Sequence, residues 1–444
     1  MADFLNVLRS GDWLSAGRAR LWAFAVLVAS AGGLVYLVAT SDGLIDYQGR
    51  PLGTDFSNVY AAGTYVLEGD PAAPFDPRLQ YAREQQIFGE KTFFYGWHYP
   101  PLFLALAAAL ALMPYQLALI VWQGVTLGLY VWAVFAVTGS IPPLQGEGDR
   151  RSRSGGVIAP TPTPPGSLRS PPSPFGGGIT LLLALAFPAV FVNLGHGHNG
   201  FLTAALIGFA LTQLDRRPIL SGILFGLLAY KPQFGIMIPL VLAATGRWRC
   251  FTAAGATTAL LVLAATLAFG ADTWRAFFHF AEYTRVTVLE TGETGWHKIQ
   301  SVFSWARMWG ASVPLAYAVQ GAVTLAVAVS LVWLWRSSAS FALKAAALCL
   351  AAILATPYSL DYDLMVLAPA IAFIAVDGFA RGFGPYEKTA LAFLWLVPLI
   401  ARGVAQVTLI PLGVIAMLLT FALILRRAQA GLDLASGGVP LAAR

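Results

Sequence analysis

Asp55 is the best candidate in this chain for a catalytic carboxylate. It lies in Thr54-Asp55-Phe56-Ser57-Asn58-Val59-Tyr60. A carboxylate beside apolar groups can serve as a general base. The competing reading is a helix N-cap, a role Asp also suits. Asp42, Asp46 and Asp70 are rival carboxylates in the same polar stretch. A second constellation is the turn Gly195-His196-Gly197-His198-Asn199-Gly200. Its glycines let the backbone turn tightly and approach a ligand. His196, His198 and Asn199 could hydrogen-bond sugar hydroxyls or a phosphate, or simply close a turn between helices. His-x-His lacks a third ligand at a recognisable spacing, so zinc is not expected there.

Lys231 stands in Leu228-Ala229-Tyr230-Lys231-Pro232-Gln233-Phe234, with apolar sequence on both sides. An ionisable group at membrane depth is costly and points to a role. Pro232 removes a backbone donor and disfavours helix just before it. The expected product is a broken helix that presents a cation and Gln233. A phosphate is one natural ligand for that cation; a snorkelling or carboxylate-paired lysine is the alternative. Asp361-Tyr362-Asp363 spells the D-x-D of some metal-binding transferases, but so short a pattern recurs by chance. Tyr358 and Asp361 are expected at the rim of a cavity, without a metal. His98 and Tyr99 close the first polar loop, and His297, Lys298 and Arg307 lie in a second one.

The elements that must position these groups are membrane helices. The chain has 444 residues, of which 57% are hydrophobic and only 11% charged, against about 25% charged in soluble domains. Runs such as 21–40, 117–138, 251–269, 314–335 and 409–425 approach the roughly 20 apolar residues that cross a bilayer. In lipid every backbone polar group must be paired internally, so such runs are helices. The expectation is one all-α integral-membrane domain over 1–444, with about ten to twelve spans. The net charge of +6 sits mainly in connections, the positive-inside pattern rather than a nucleic-acid footprint. The two cysteines give neither a disulfide framework nor a metal spacing.

Arg9, Arg18 and Arg20 precede the first span, which predicts a cytoplasmic N-terminus and an external loop over 41–98. Within that loop, Phe56 to Leu67 could lie along the membrane surface. Residues 100–114 are either a short span or a dip into the membrane; the dip suits the charges better and puts Gly195–Gly200 outside. Residues 140–178 are rich in Pro, Gly, Ser and Arg and read as a disordered inserted loop. Residues 428–444 read as a short tail.

The order of these features resembles the polyprenol-phosphate-dependent GT-C membrane glycosyltransferases, and within them glycosyltransferase family 87. The resemblance is carried by Asp55-Phe56 with Tyr60, Ala62 and Gly63, then Tyr99-Pro100-Pro101-Leu102 and Gly197-His198-Asn199. It continues through Gly222, Lys231-Pro232, Ser301-Val302-Phe303, Thr356-Pro357-Tyr358 and Asp361-Tyr362-Asp363. His198 stands where the family pattern has Gln, and the 140–178 stretch is no part of that pattern. The resemblance implies a GT-C-like bundle that moves a hexose, mannose in the best-known case, from a polyprenyl-phosphate donor to a lipid or glycan acceptor. Asp55 would deprotonate the acceptor on the external face of a plasma membrane, of bacterial inner-membrane type. Lys231, Arg307 and Lys298 would meet the donor phosphate. Tyr60, His98, Tyr99, His196, His198, Asn199, Gln233, His297, Tyr358 and Asp361 would line the sugar and acceptor site. No cofactor, metal or nucleic acid is expected, and no protein partner is indicated. A lipid-linked sugar flippase or transporter, and a non-catalytic membrane scaffold, are the alternatives from other classes.

Overall fold

The computed structural model describes residues 2–139 and 176–435. Among them there is no β-strand, and extended segments meet only at isolated bridges. The N-terminal half holds α1 (Ala2–Ser10), α2 (Ala16–Ala39), α3 (Thr54–Leu67), α4 (Pro77–Phe88), α5 (Leu104–Ala111), α6 (Tyr115–Thr138), α7 (Gly176–Leu185), α8 (Pro188–His196) and α9 (Gly200–Gln213). There follow α10 (Pro218–Gly226), α11 (Met237–Ala244), α12 (Trp248–Phe269), α13 (Ala271–Thr284), α14 (Val302–Met308), α15 (Val313–Arg336), α16 (Phe341–Leu354), α17 (Leu367–Arg381), α18 (Glu387–Thr408) and α19 (Leu412–Ala435). The chain is an all-α polytopic membrane protein.

Among the described residues, seven helices are long and apolar enough to cross a membrane: α2, α6, α12, α15, the run Asp361–Arg381 that contains α17, α18 and α19. The pair α7 and α8 makes up to 8 if read as one span bent by 51° at Pro188. The rest of the expected ten to twelve are shorter apolar helices of 10–17 residues, such as Gly200–Gln213 and Phe341–Leu354. Only 6% of the apolar window of α2 is covered by protein, against 72% for Asp361–Arg381. The first span therefore runs along the outside, and the segment that carries Asp361 is central.

Residues 100–114 do not make a full span. Proline ends the helix on both sides, so a short 3₁₀ turn, Pro101–Phe103, and the eight residues of α5 are all that form. α3 packs along this short helix. In consequence α3 does not lie bare on a membrane surface. Phe56, Val59, Ala61 and Ala62 are buried, with α4 and α5 packed against α3. Glu84 of α4 ties down the chain that leads to Tyr99. Its carboxylate accepts from the backbone N–H of Tyr95 at 2.9 Å and of Gly96 at 3.1 Å. The last helix continues past Arg427 to Ala435, so the expected tail begins inside it. Arg427 is not a free basic flank: it donates to Asp377 at 2.6 Å and to Glu387 at 2.6 Å, joining α17, α18 and α19. The expected disordered loop falls outside the described residues, apart from 176–178, which open α7.

The break at Lys231 forms as the proline requires. α10 gives way to two 3₁₀ turns, Leu227–Tyr230 and Pro232–Gly235, before α11 resumes. Lys231 Nζ donates to Asp363 Oδ1 at 2.6 Å, and the two side chains are 3% and 2% exposed. Leu360 N–H donates to the second carboxylate oxygen at 3.0 Å, and the Tyr362 ring lies 4.4 Å from the ammonium. Each partner is tolerable only because the other is there. Lys231→Met should cost about 3–5 kcal/mol, because it leaves a buried carboxylate uncompensated. Lys231→Met with Asp363→Leu should recover most of that. Thermal unfolding in detergent reads both; a single variant as stable as wild type would contradict the pairing.

Candidate active site

Two glycines bring the site together. Gly53, with φ +69°, starts α3, and Gly197, with φ +70°, ends α8. α6 holds both. Tyr115 donates its hydroxyl to Leu52 C=O at 2.5 Å and Gly53 C=O at 3.3 Å, and Trp122 Nε1–H donates to Gly197 C=O at 3.1 Å. Leu119 sits between them. A Cβ on Gly53 would come within 2.8 Å of Leu119, and one on Gly197 within 2.5 Å of Phe56 Cβ. Only glycine permits both the left-handed backbone and the contact.

The histidine turn is locked from behind by Asn193, which is fully buried. Its amide donates to Ala189 C=O at 2.8 Å and Tyr362 C=O at 3.1 Å, and its oxygen accepts from Gly200 N–H at 2.9 Å. The His198 ring stacks on Tyr362, centroids 3.6 Å apart. These contacts aim His198 Nε2 at Asp55 Oδ2, 3.2 Å away. His196 Nδ1 lies 2.6 Å from Thr54 Oγ1 and 4.0 Å from the same Asp55 oxygen. Thr54 Oγ1 also reaches Asp55 Oδ2 at 3.3 Å. The N-cap of α3 is Gly53, with no side-chain cap bond. Asp55 therefore spends its carboxylate on the histidine turn and not on the helix end.

Charge of both signs surrounds this carboxylate. Asp361 accepts from Tyr362 N–H at 2.9 Å and pairs with Arg402 of α18 at 3.4 Å. Lys298 arrives on the chain before α14, which is pinned to the Asp361 region where Gln300 N–H donates to Ser359 C=O at 2.7 Å. Burial pushes the Asp55 carboxyl up to about 7; the Thr54 hydroxyl opposes that rise, Asp361 adds to it, and Lys298 and Lys231 oppose it. Burial likewise pushes Lys298 down. Asp55 keeps 34% of its side chain accessible, so a reactant can still reach it.

Of the residues singled out in the sequence, Asp55, His196 and His198 are in contact, and Lys298 and Asp361 act on them through charge. Tyr99 and Tyr358 are within electrostatic reach of Asp55. His297 is within reach of Lys298, Asp361 and Arg402. Asn199 is buried with its side-chain oxygen unpartnered among the described residues. Gln233 follows Lys231 in the helix break, half-buried. Others are occupied elsewhere. Lys231 is committed to Asp363. Arg307 donates to Ala311 C=O at 2.6 Å and Glu290 C=O at 3.0 Å and lies over Trp296, so its guanidinium holds a loop. Tyr60 donates to Met113 C=O at 3.0 Å, and His98 meets Thr284 at 3.0 Å and stacks on Phe280. Among the rival carboxylates, Asp46 accepts from Gln48 and Arg50 N–H and Asp70 from Ala73 N–H, all turn contacts. Sequence reasoning missed Arg402 and Asn193. The signal for each was a strongly polar residue inside an apolar helix.

This polar cluster lies where apolar helices end or break, and it is the candidate active site. The family model for glycosyltransferase family 87 matches residues 97–357, more than half of the chain. The chain belongs to that family and is a membrane glycosyltransferase. The matched stretch includes the histidine turn, Lys231 and Lys298; α3 with Asp55 precedes it, and Asp361 and Arg402 follow it. No curated protein and no solved structure matches the chain.

The Asp55 environment carries a pH prediction. A step in which Asp55 takes a proton needs the carboxylate, which is the minor form below about 7. The rate should fall roughly tenfold per pH unit on the acid side. Asp361→Asn removes a negative neighbour and releases Arg402, so the midpoint should move to lower pH. A profile of kcat/KM against pH tests this; a midpoint unmoved in Asp361→Asn would contradict it.

Proposed function

We propose that this glycosyltransferase moves a hexose from a polyprenyl-phosphate donor to a hydroxyl of a membrane lipid or glycan. The reaction takes place on the external face of a plasma membrane of bacterial inner-membrane type. Asp55 is the base. The observation that carries the reading is the hold on Asp55 Oδ2 by His198 and Thr54, with Arg402, Lys298 and Asp361 gathered beside it. Asp55 takes the acceptor proton, the acceptor oxygen attacks the anomeric carbon, and the lipid phosphate leaves with inversion. The leaving phosphate carries negative charge, and cations fixed beforehand stabilise it.

Lys298 and Arg402 are the cations to meet that phosphate. Lys231 already has its counter-charge in Asp363, and Arg307 has its donors on backbone carbonyls. Tyr99, Tyr358, Asn199, His196 and Asp361 surround the sugar. Mannose is the first sugar to try. Phosphate is a good leaving group once its charge is met, so the transfer needs no step on a cofactor.

The test is transfer by purified protein in nanodiscs. Radiolabelled polyprenyl-phosphate mannose, glucose or arabinose would be offered with a membrane-lipid and glycan extract. One donor should pass its label to a new product. Arg402→Ala and Lys298→Ala should each raise the donor KM or lower kcat by about tenfold or more. Movement of intact donor across proteoliposomes with no new glycoside would overturn the reading in favour of a flippase.

A further inference from the structure

The three atoms that meet at Asp55 also have the chemistry of a metal site. Asp55 Oδ2 lies 3.2 Å from His198 Nε2 and 4.0 Å from His196 Nδ1, and one ligand atom from each residue falls within 4.8 Å of the other two. A tetrahedral dication with bonds of about 2.0–2.2 Å holds its ligand atoms roughly 3.3–3.5 Å apart. One edge is already close to that length, and the others need a small rotation of the His196 ring, which is 32% exposed. His-x-His alone lacked a third ligand; α3 supplies it from a distant part of the chain.

We propose that Asp55, His196 and His198 form a binding site for one transition-metal dication of the Zn²⁺ type, with a fourth position open to water. Two imidazoles and one carboxylate suit Zn²⁺ or Co²⁺ rather than Mg²⁺, which prefers oxygen ligands in an octahedron. The His198 ring is held by its stack on Tyr362, and the turn that bears both histidines is held by Asn193, so two ligands are preorganised. Thr54 Oγ1, now 2.6 Å from His196 Nδ1, gives up that contact when the metal enters. His196 and Asp55 keep 32% and 34% of their side chains accessible, which leaves the entry side open. The charges beside the site are mixed, with Lys298 and Arg402 opposing a cation and Asp361 favouring it.

The consequence rests on the proposed function. A dication on Asp55 Oδ2 withdraws charge from the whole carboxylate and makes its other oxygen a poor acceptor for the acceptor proton, so bound metal and sugar transfer oppose each other. The metal-free cluster is the transferring form, and Zn²⁺ is an inhibitor that acts at the base.

The experiment uses full-length protein in nanodiscs, stripped with chelator and free of any histidine tag. Zn²⁺ binding is followed by calorimetry and Co²⁺ binding by visible absorption. One equivalent should bind, with tetrahedral Co²⁺ bands. Asp55→Asn and His198→Gln should each weaken binding at least about tenfold. His279→Ala, which removes an exposed histidine of α13, should bind like wild type. Thermal melts show whether each variant is folded. No binding, binding unchanged in both folded cluster variants, or octahedral Co²⁺ bands would overturn the site. Zn²⁺ should also slow transfer by wild type and leave the residual rate of His198→Gln unaffected. Stoichiometric binding with transfer that requires Zn²⁺ would keep the site and overturn the inhibitory role and the free-carboxylate base together.

Discussion

The close approach of Gly53 and Gly197 across Leu119 is the constraint on which the rest of the site depends. A Cβ on Gly197 would collide with Phe56 at its Cβ, one on Gly53 would press on the Leu119 side chain, and both positions have backbone angles that side chains resist. With both in place, the start of α3 and the end of α8 share one small space beside α6. Asp55 then meets two histidines that lie far from it in the chain. A side chain at Gly197 would press on Phe56, the neighbour of Asp55 in α3.

Behind that contact runs a chain of buried polar support. Lys231 neutralises Asp363, Asp363 fixes the turn that starts at Leu360, and that turn sets Tyr362. Tyr362 carries the His198 ring on its face and receives the Asn193 amide on its carbonyl. A charged pair this deep is justified less by the stability it adds than by the arrangement it enforces. Glycosyl transfer at a membrane asks for that arrangement. In the proposed reaction the base must stay accessible to an acceptor while the groups that orient it stay buried, and the accessibility of Asp55 and the burial of Asn193 and His198 fit that division.

Much of this was legible in the residue order. Asp55, the histidine turn and the Lys231-Pro232 break stood out because polar groups and prolines are conspicuous in apolar sequence, and each lies at a helix end or break in the fold. The pairing of those features was not legible. Lys231 looked free for a phosphate because Asp363, its counter-ion, lies 132 residues away. Arg307 looked available to the donor phosphate because nothing local showed that its guanidinium would hold backbone carbonyls. Arg402 and Asn193 carried a readable signal, since a cation or a carboxamide inside an apolar helix needs a partner. The shortness of the helix within 100–114 was legible in the prolines that flank it.

The most direct test of the account is single-turnover transfer by Asp55→Asn, with donor binding measured separately on the same protein. Asn keeps the shape of the side chain and cannot take the acceptor proton. The account predicts donor affinity within about twofold of wild type and a transfer step slower by about 10²–10⁴. Transfer at the wild-type rate by the folded variant would show that the base lies elsewhere, and the meeting of α3 with the histidine turn would then be architecture alone.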